Sequence, residues 1–144
     1  MFQEDTRREL NGRLSRLTPL EPSRWGAMSA PRMVSHLLDS MRMSIGELAV
    51  ASKKTPLRFP PLKQLAIYWI PMAKGLPTAP ELIARVPDDW SEEVAALRAA
   101  FDRFAARSLD DRWPAHPAFG TMSGRDWGAL MYRHNDHHFR QFGI

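Results

Sequence analysis

The chain has 144 residues, 44% hydrophobic and 25% charged, with 20 basic against 16 acidic residues and a net charge of +4. That length suits one domain with a single core. The basic residues are scattered, only Arg7-Arg8 and Lys53-Lys54 being adjacent, which argues against the concentrated stripe of a nucleic-acid binder. There are no cysteines, so disulfides, thiolate metal sites and a cysteine nucleophile are excluded. The longest apolar stretch, Leu65 to Ala73, is far short of the ~20 residues of a spanning helix. Met1-Phe2-Gln3-Glu4-Asp5 lacks the basic and apolar regions expected of a signal peptide. A cytoplasmic protein with neither a membrane nor a nucleic-acid partner is expected.

In chain order, residues 4–17 predict a short, charged leading helix. Ser29 is an N-cap position with Pro31 in the first turn. The helix that follows, about 31–50, carries Met33, Leu37, Met41, Ser44 and Leu48 on one face. Residues 51–61, basic and proline-punctuated, read as a loop. A second main helix, about 62–73, is apolar nearly all round and is kinked or ended by Pro71. Residues 74–89, with Gly75, Pro77, Pro80 and Pro87, form a long connection. The next helix, about 90–108, follows Asp88-Asp89 and spaces Val94, Leu97, Phe101 and Phe104 by threes and fours. A loop over 109–122 leads to Ser123, which with Asp126 resembles a capping box for the last helix, about 124–142. The apolar ending Phe142-Gly143-Ile144 is expected to dock. Four main helices with long connections predict an all-α chain, a four-helix bundle with crossovers, as one domain over residues 1–144.

The last helix holds His134, His137 and His138, three of the five histidines. At about 100° per residue, Trp127, Leu130, Met131, His138 and Gln141 all fall within about 60° of His134. Arg133, Asp136 and Arg140 point the other way. An inward pair of imidazoles four residues apart is half of a metal site, or equally a pair of half-buried histidines satisfied by hydrogen bonds. His36, at the edge of the apolar stripe of the helix over 31–50, is the candidate for a third ligand. Three neutral imidazoles leave a coordination position open, the catalytic pattern. The zinc-peptidase motif fails because Asn135 follows His134 where a Glu is needed. The Glu-x-x-His pairs of di-iron bundles are absent. Asp39, one turn from His36, is a candidate to orient an imidazole, or else a surface carboxylate. His116 is a candidate proton donor or lid. Gln141 faces the pair. Arg42 and Arg140 are either anion ligands or solvated charges, and Trp127 and Met43 suit a pocket wall.

Met33-Val34-Ser35-His36-Leu37-Leu38-Asp39 and the late His134-Asn135-Asp136-His137-His138-Phe139-Arg140-Gln141 resemble the DinB/YfiT-like superfamily of four-helix bundles. The resemblance covers about residues 22–144. His116-Pro117-Ala118-Phe119-Gly120-Thr121-Met122-Ser123, Asp126-Trp127-Gly128 and Arg140-Gln141-Phe142-Gly143 resemble a branch of it known as a domain of unknown function. The resemblance implies a metal triad of His36, His134 and His138, with His137 beside it. It also implies activities of the kind found in the superfamily, thiol transfer using bacillithiol, mycothiol or glutathione, or maleylpyruvate isomerisation. The expected function is therefore that of a metal-dependent enzyme, a transferase or hydrolase. A divalent ion, zinc or nickel first and then iron or copper, would activate water or a thiol cosubstrate. His116 and Asp39 would assist, the substrate would be a small molecule, and a homodimer is the expected state. The alternative is a non-catalytic, dimerising or ligand-binding bundle with a structural metal or none. Its interface would lie around Tyr68-Trp69 and Trp113.

Overall fold

A computed structural model describes residues 1–75 and 78–144; Pro77, placed by sequence in a connection, lies outside them. The described residues are helical, with no strand beyond one isolated bridge between His116 and Gly120. Five helices follow in order: α1 (Glu4–Leu14), α2 (Ala30–Ile45), α3 (Leu62–Gln64), α4 (Trp90–Ala105) and α5 (Gly124–Gln141). Among the four long ones, α1 and α2 each pack against both α4 and α5.

The leading helix is a full participant rather than a charged appendage. Leu10 and Leu14, four residues apart, lie on one face and both are buried. On the neighbouring face Arg13 donates to Asp136 of α5 at 2.9 Å and to the Ile144 carbonyl at 3.0 Å. The apolar carboxyl end is docked as expected, with Phe142 buried.

α2 stops at Ile45, short of the expected 50. Gly46 takes a left-handed conformation (φ 87°), and its N–H returns to the last turn, a common way for a helix to end. Ser29 occupies the N-cap position of α2 without a capping side-chain bond. α4 and α5 begin as their sequences indicate. The Asp89 carboxylate accepts from the Glu92 N–H at 2.9 Å. Ser123 and Asp126 form the full reciprocal capping box. A cap of this kind stabilises a helix start by about 1 kcal/mol.

The expected main helix over 62–73 is reduced to α3 and one wide turn, Leu65–Trp69, closed by the Ile70 N–H on the Leu65 carbonyl at 2.8 Å. Pro71 holds the residue before it in extended backbone, and Ile70 is extended (ψ 125°). Pro60-Pro61 bound the segment on the other side. Too few residues remain between the prolines for a core helix, and of α3 and its wide turn only Ile67 is buried. Trp113, expected on an exposed linker, is buried instead. Its ring lies 5.0 Å from Phe104 and 5.8 Å from Phe2, and its Nε1 donates to the Ser108 carbonyl at 3.1 Å. The core centres on Phe101, Phe104, Trp127 and Phe139, all fully buried, together with the apolar face of α2.

Candidate metal centre

His36 is carried on the buried face of α2, and His134 and His138 on α5. The helix–helix packing brings the three rings into a nearly equilateral triangle. The centroid separations are 4.9 Å for His36–His134, 4.8 Å for His36–His138 and 4.8 Å for His134–His138. Each ring offers one nitrogen within 4.8 Å of the other two. The Nε2 atoms of His36 and His134 stand 3.0 Å apart.

Neighbouring carbonyls decide where the ring protons sit. His36 Nδ1 lies 3.1 Å from the Leu82 carbonyl oxygen, and His138 Nδ1 lies 2.8 Å from Gln141 Oε1. A carbonyl only accepts, so both Nδ1 atoms carry the proton and both Nε2 atoms keep a lone pair. Gln141 is fixed in turn, since its Nε2 donates to the Trp25 carbonyl at 2.8 Å. The chain can come this close because Gly26 has φ 75° and no side chain; a Cβ there would lie 2.9 Å from Gln141 Nε2. Metal-bound histidines usually have such outer hydrogen bonds, which set tautomer and ring orientation.

Burial, complete for His36 and partial for His134 and His138, keeps the cluster neutral. It pushes the His36 imidazole below its usual value, against the opposing pull of the Leu82 hydrogen bond and Asp39. His138 is lowered to about 3, by burial first and then by the neighbouring His36. Burial and the surrounding imidazoles drive His134 well below the usual range. All three are therefore ligand-competent at neutral pH.

This donor set fits a divalent cation. Two nitrogens each ~2.0–2.1 Å from one tetrahedral zinc stand roughly 3.3 Å apart, close to the 3.0 Å between His36 and His134. Protons supply a second argument. Two inward Nε2 lone pairs are set by Leu82 and Gln141, and His134 Nε2 has one proton at most to offer them. The protein alone leaves at least one lone pair without a donor. His134 Nδ1 is buried with no partner among the described residues, a condition that costs about 1–3 kcal/mol and that an ion on Nε2 would not relieve.

Of the residues singled out by sequence, the structure brings His36, His134 and His138 together and Gln141 beside them. His116 stays outside the triangle. Its Nδ1 accepts from the Ala118 and Phe119 N–H groups at 3.0 and 3.2 Å, and its ring packs on Phe119 and Trp127. Burial, with Arg58 and Lys63 nearby, lowers it to about 4. Asp39 is buried rather than superficial, and its carboxylate faces Arg42 at 3.4 Å and Arg85 at 3.3 Å. The place it was expected to fill at an imidazole is taken by the Leu82 carbonyl. Arg85 also pairs with Glu93, whose other contact is Ser35 at 3.1 Å. This part-buried network ties the turn bearing Leu82 to α2 and α4. His137 packs edge-on against Trp25, 5.8 Å between centroids. Arg42 and Arg140 are engaged by carboxylates, Arg140 by Asp136 at 3.0 Å. Trp127 is core, with Nε1 donating to the Pro114 carbonyl at 2.9 Å.

Leu82, Trp25 and Arg85 carry no signal in the sequence, because two act through backbone carbonyls and the third through a contact distant in the chain. Gln141 was visible from its helical angle. Two surface hollows, of about 240 and 470 Å³, lie elsewhere; one is walled by Met43, Leu48 and Pro114, the other by Phe2, Arg125 and Tyr132, and neither is lined by a histidine of the triangle. The chain matches no family model, no curated protein and no solved structure.

Proposed function

We propose that this chain is a four-helix bundle of the DinB/YfiT-like kind, holding one divalent ion, zinc or nickel, on His36, His134 and His138 as a metal-dependent enzyme. One observation carries the reading: the outer nitrogens of His36 and His138 are both fixed on carbonyl oxygens, so that two lone pairs converge with too few protons to share. Once bound, the ion would supply Lewis acidity, lowering the pKa of a water or thiol that reaches it. The protein's own share is to hold three imidazoles neutral by burial, to orient His36 through Leu82 and His138 through Gln141, and to brace the Leu82 turn through Arg85, Glu93 and Asp39. With no cysteine in the chain, any thiol must arrive on a small cosubstrate. His116 lies at the start of α5 against Trp127, and with Nδ1 taken by the Ala118 and Phe119 N–H groups its neutral ring carries the proton on Nε2.

A second reading is a non-catalytic helical protein with a hydrogen-bonded histidine core. It is favoured by the 3.0 Å contact, which is also the length of an N–H···N bond.

Elemental analysis of untagged protein, before and after incubation with zinc or nickel, separates the two. The first reading expects one equivalent of metal, lost in His36→Ala and His134→Leu. Metal content unchanged in both variants sinks the site. Failure of the parent protein to take up either ion leaves the histidine core as the answer. The His134→Leu variant loses both the unpartnered Nδ1 and the contact with His36, so a melting point well below that of the metal-free parent would favour the hydrogen-bonded histidine core.

A further inference from the structure

Charge and exposed apolar surface coincide in one stretch of the chain. Of 20 basic and 16 acidic residues, five basic ones (Lys53, Lys54, Arg58, Lys63, Lys74) and no acidic one lie between Leu48 and Pro80. The remainder, 15 against 16, is balanced to within one charge. In the middle of this stretch Phe59, Leu62, Leu65, Tyr68, Trp69 and Ile70 are exposed, Trp69 at 77% and Phe59 at 67%. Leu62, Leu65 and Trp69 follow helical spacing and share a face, while Ile67, on the other side, is fully buried. That orientation is fixed from behind. The Arg133 guanidinium donates to the Ala66, Ile67 and Ile70 carbonyls, and the Tyr68 hydroxyl donates to Asp126 at 2.7 Å. Lys53 and Lys54 are exposed, and Lys74 sits over the Trp25 ring at 4.2 Å.

We propose that this segment docks the protein on an anionic phospholipid surface, with Leu62, Leu65 and Trp69 entering the headgroup boundary and Lys53, Lys54 and Lys74 facing lipid phosphates. Aromatic and leucine side chains beside lysines are the composition that binds membrane interfaces. Clusters of basic residues add about 1 kcal/mol each near an anionic leaflet, or ~fivefold in partitioning. A second copy fits less well, because a twofold-symmetric contact would bring the lysines of the two copies together, offset only in part by Glu81 and Asp126, which accept from Ala51 and Tyr68 of the stretch. The absence of a helix long and apolar enough to cross a membrane concerns spanning, which this mode of attachment does not require. The proposal is independent of the metal.

Co-sedimentation of the full chain tests it, with vesicles of equal parts phosphatidylglycerol and phosphatidylcholine compared with phosphatidylcholine alone. Binding is expected to the anionic vesicles only. It should weaken as salt rises from about 0.1 M to about 1 M, which shortens the screening length from ~10 to ~3 Å. Lys53→Glu with Lys54→Glu should weaken it on the order of 25-fold or more, and Leu65→Ser with Trp69→Ser roughly tenfold or more. The affected side chains are exposed, and an unchanged melting curve certifies each variant as folded. Equal sedimentation with both vesicle types, or variants that bind as the parent does, overturns the proposal. A dimer in solution that Leu65→Ser with Trp69→Ser dissociates would also overturn it, giving the patch to a second copy.

Discussion

The interior of α5 and the surface segment over residues 59–70 depart from the usual partition of side chains in opposite directions. In α5, imidazoles lie among core residues such as Trp127 and Phe139. In the segment, a tryptophan, a phenylalanine and three aliphatic side chains face water. The chain compensates the first departure from within: the Leu82 and Gln141 oxygens take the ring protons, and burial keeps the rings uncharged. It compensates the second only on the back, through Arg133 and Ile67, and leaves the apolar front uncovered. Polar groups inside are expensive, and most of them have their partners built in, His134 Nδ1 being the exception at the triangle. Apolar groups outside cost the folded state little, because they are about equally exposed in the unfolded chain.

That contrast can be broken by substitution. Trp127→Ala, in the core beside the histidines, should cost about 3–5 kcal/mol, read as a lowered denaturant midpoint. A much smaller loss would mean that α5 is not packed as described.

Between pH 7.5 and 5 acid should act chiefly on the interior, since the shifted carboxylates, Asp126 among them, lie below their usual range. His36, His116, His134 and His138 all have folded-state values below their usual 6.5, His116 at about 4 and His138 at about 3. Between those values and 6.5 the unfolded chain binds protons that the folded one does not. Stability is therefore full above pH 6.5 and falls as the pH drops toward 4. Urea melts of metal-free protein at pH 7.5 and 5 measure this, and a flat profile contradicts neutral buried histidines. His116→Phe should make the decline shallower.

Gln141→Ala removes the acceptor on His138 and the tie to Trp25. A tenfold to hundredfold loss of metal affinity is expected, about 1.4–2.7 kcal/mol; competition against a chelator would show it, and an unaltered affinity would deny Gln141 any part in orienting the ring. Smallest of all is Trp69→Ser. With the side chain exposed and no partner to lose, the melting curve should move by less than about 0.5 kcal/mol. A large drop would show that Trp69 supports the fold and is not a free surface.

Some of this was legible in the residues. The capping box at Ser123–Asp126 and the Asp89 cap mark the starts of α5 and α4 because local hydrogen bonds need only local sequence. The i, i+4 spacing puts His134 and His138 on one face for the same reason. Other features were misread where a local pattern met a distant constraint. The largely apolar run from Leu62 to Ile70, broken by Lys63 and Gln64, suggests a buried helix, but two proline boundaries leave it too short to become one. Trp113 reads as part of a loop surface until Phe2, far away in sequence, is seen to cover it.

By itself, then, the sequence determined the helical character of the chain, the inward placement of the histidine pair, the absence of any thiol, and the concentration of its excess positive charge between residues 48 and 80. Those depend on residue identity and on periodicities that hold within one helix. Tertiary structure alone decided that His36 reaches the pair, that the Leu82 and Trp25 carbonyls set the proton positions, that Asp39 serves arginines instead of an imidazole, and that Trp69 rather than Trp113 is left facing outward. Each of these turns on groups far apart in the chain meeting within a few ångströms, and helical periodicity says which way a side chain points but not what it will meet there.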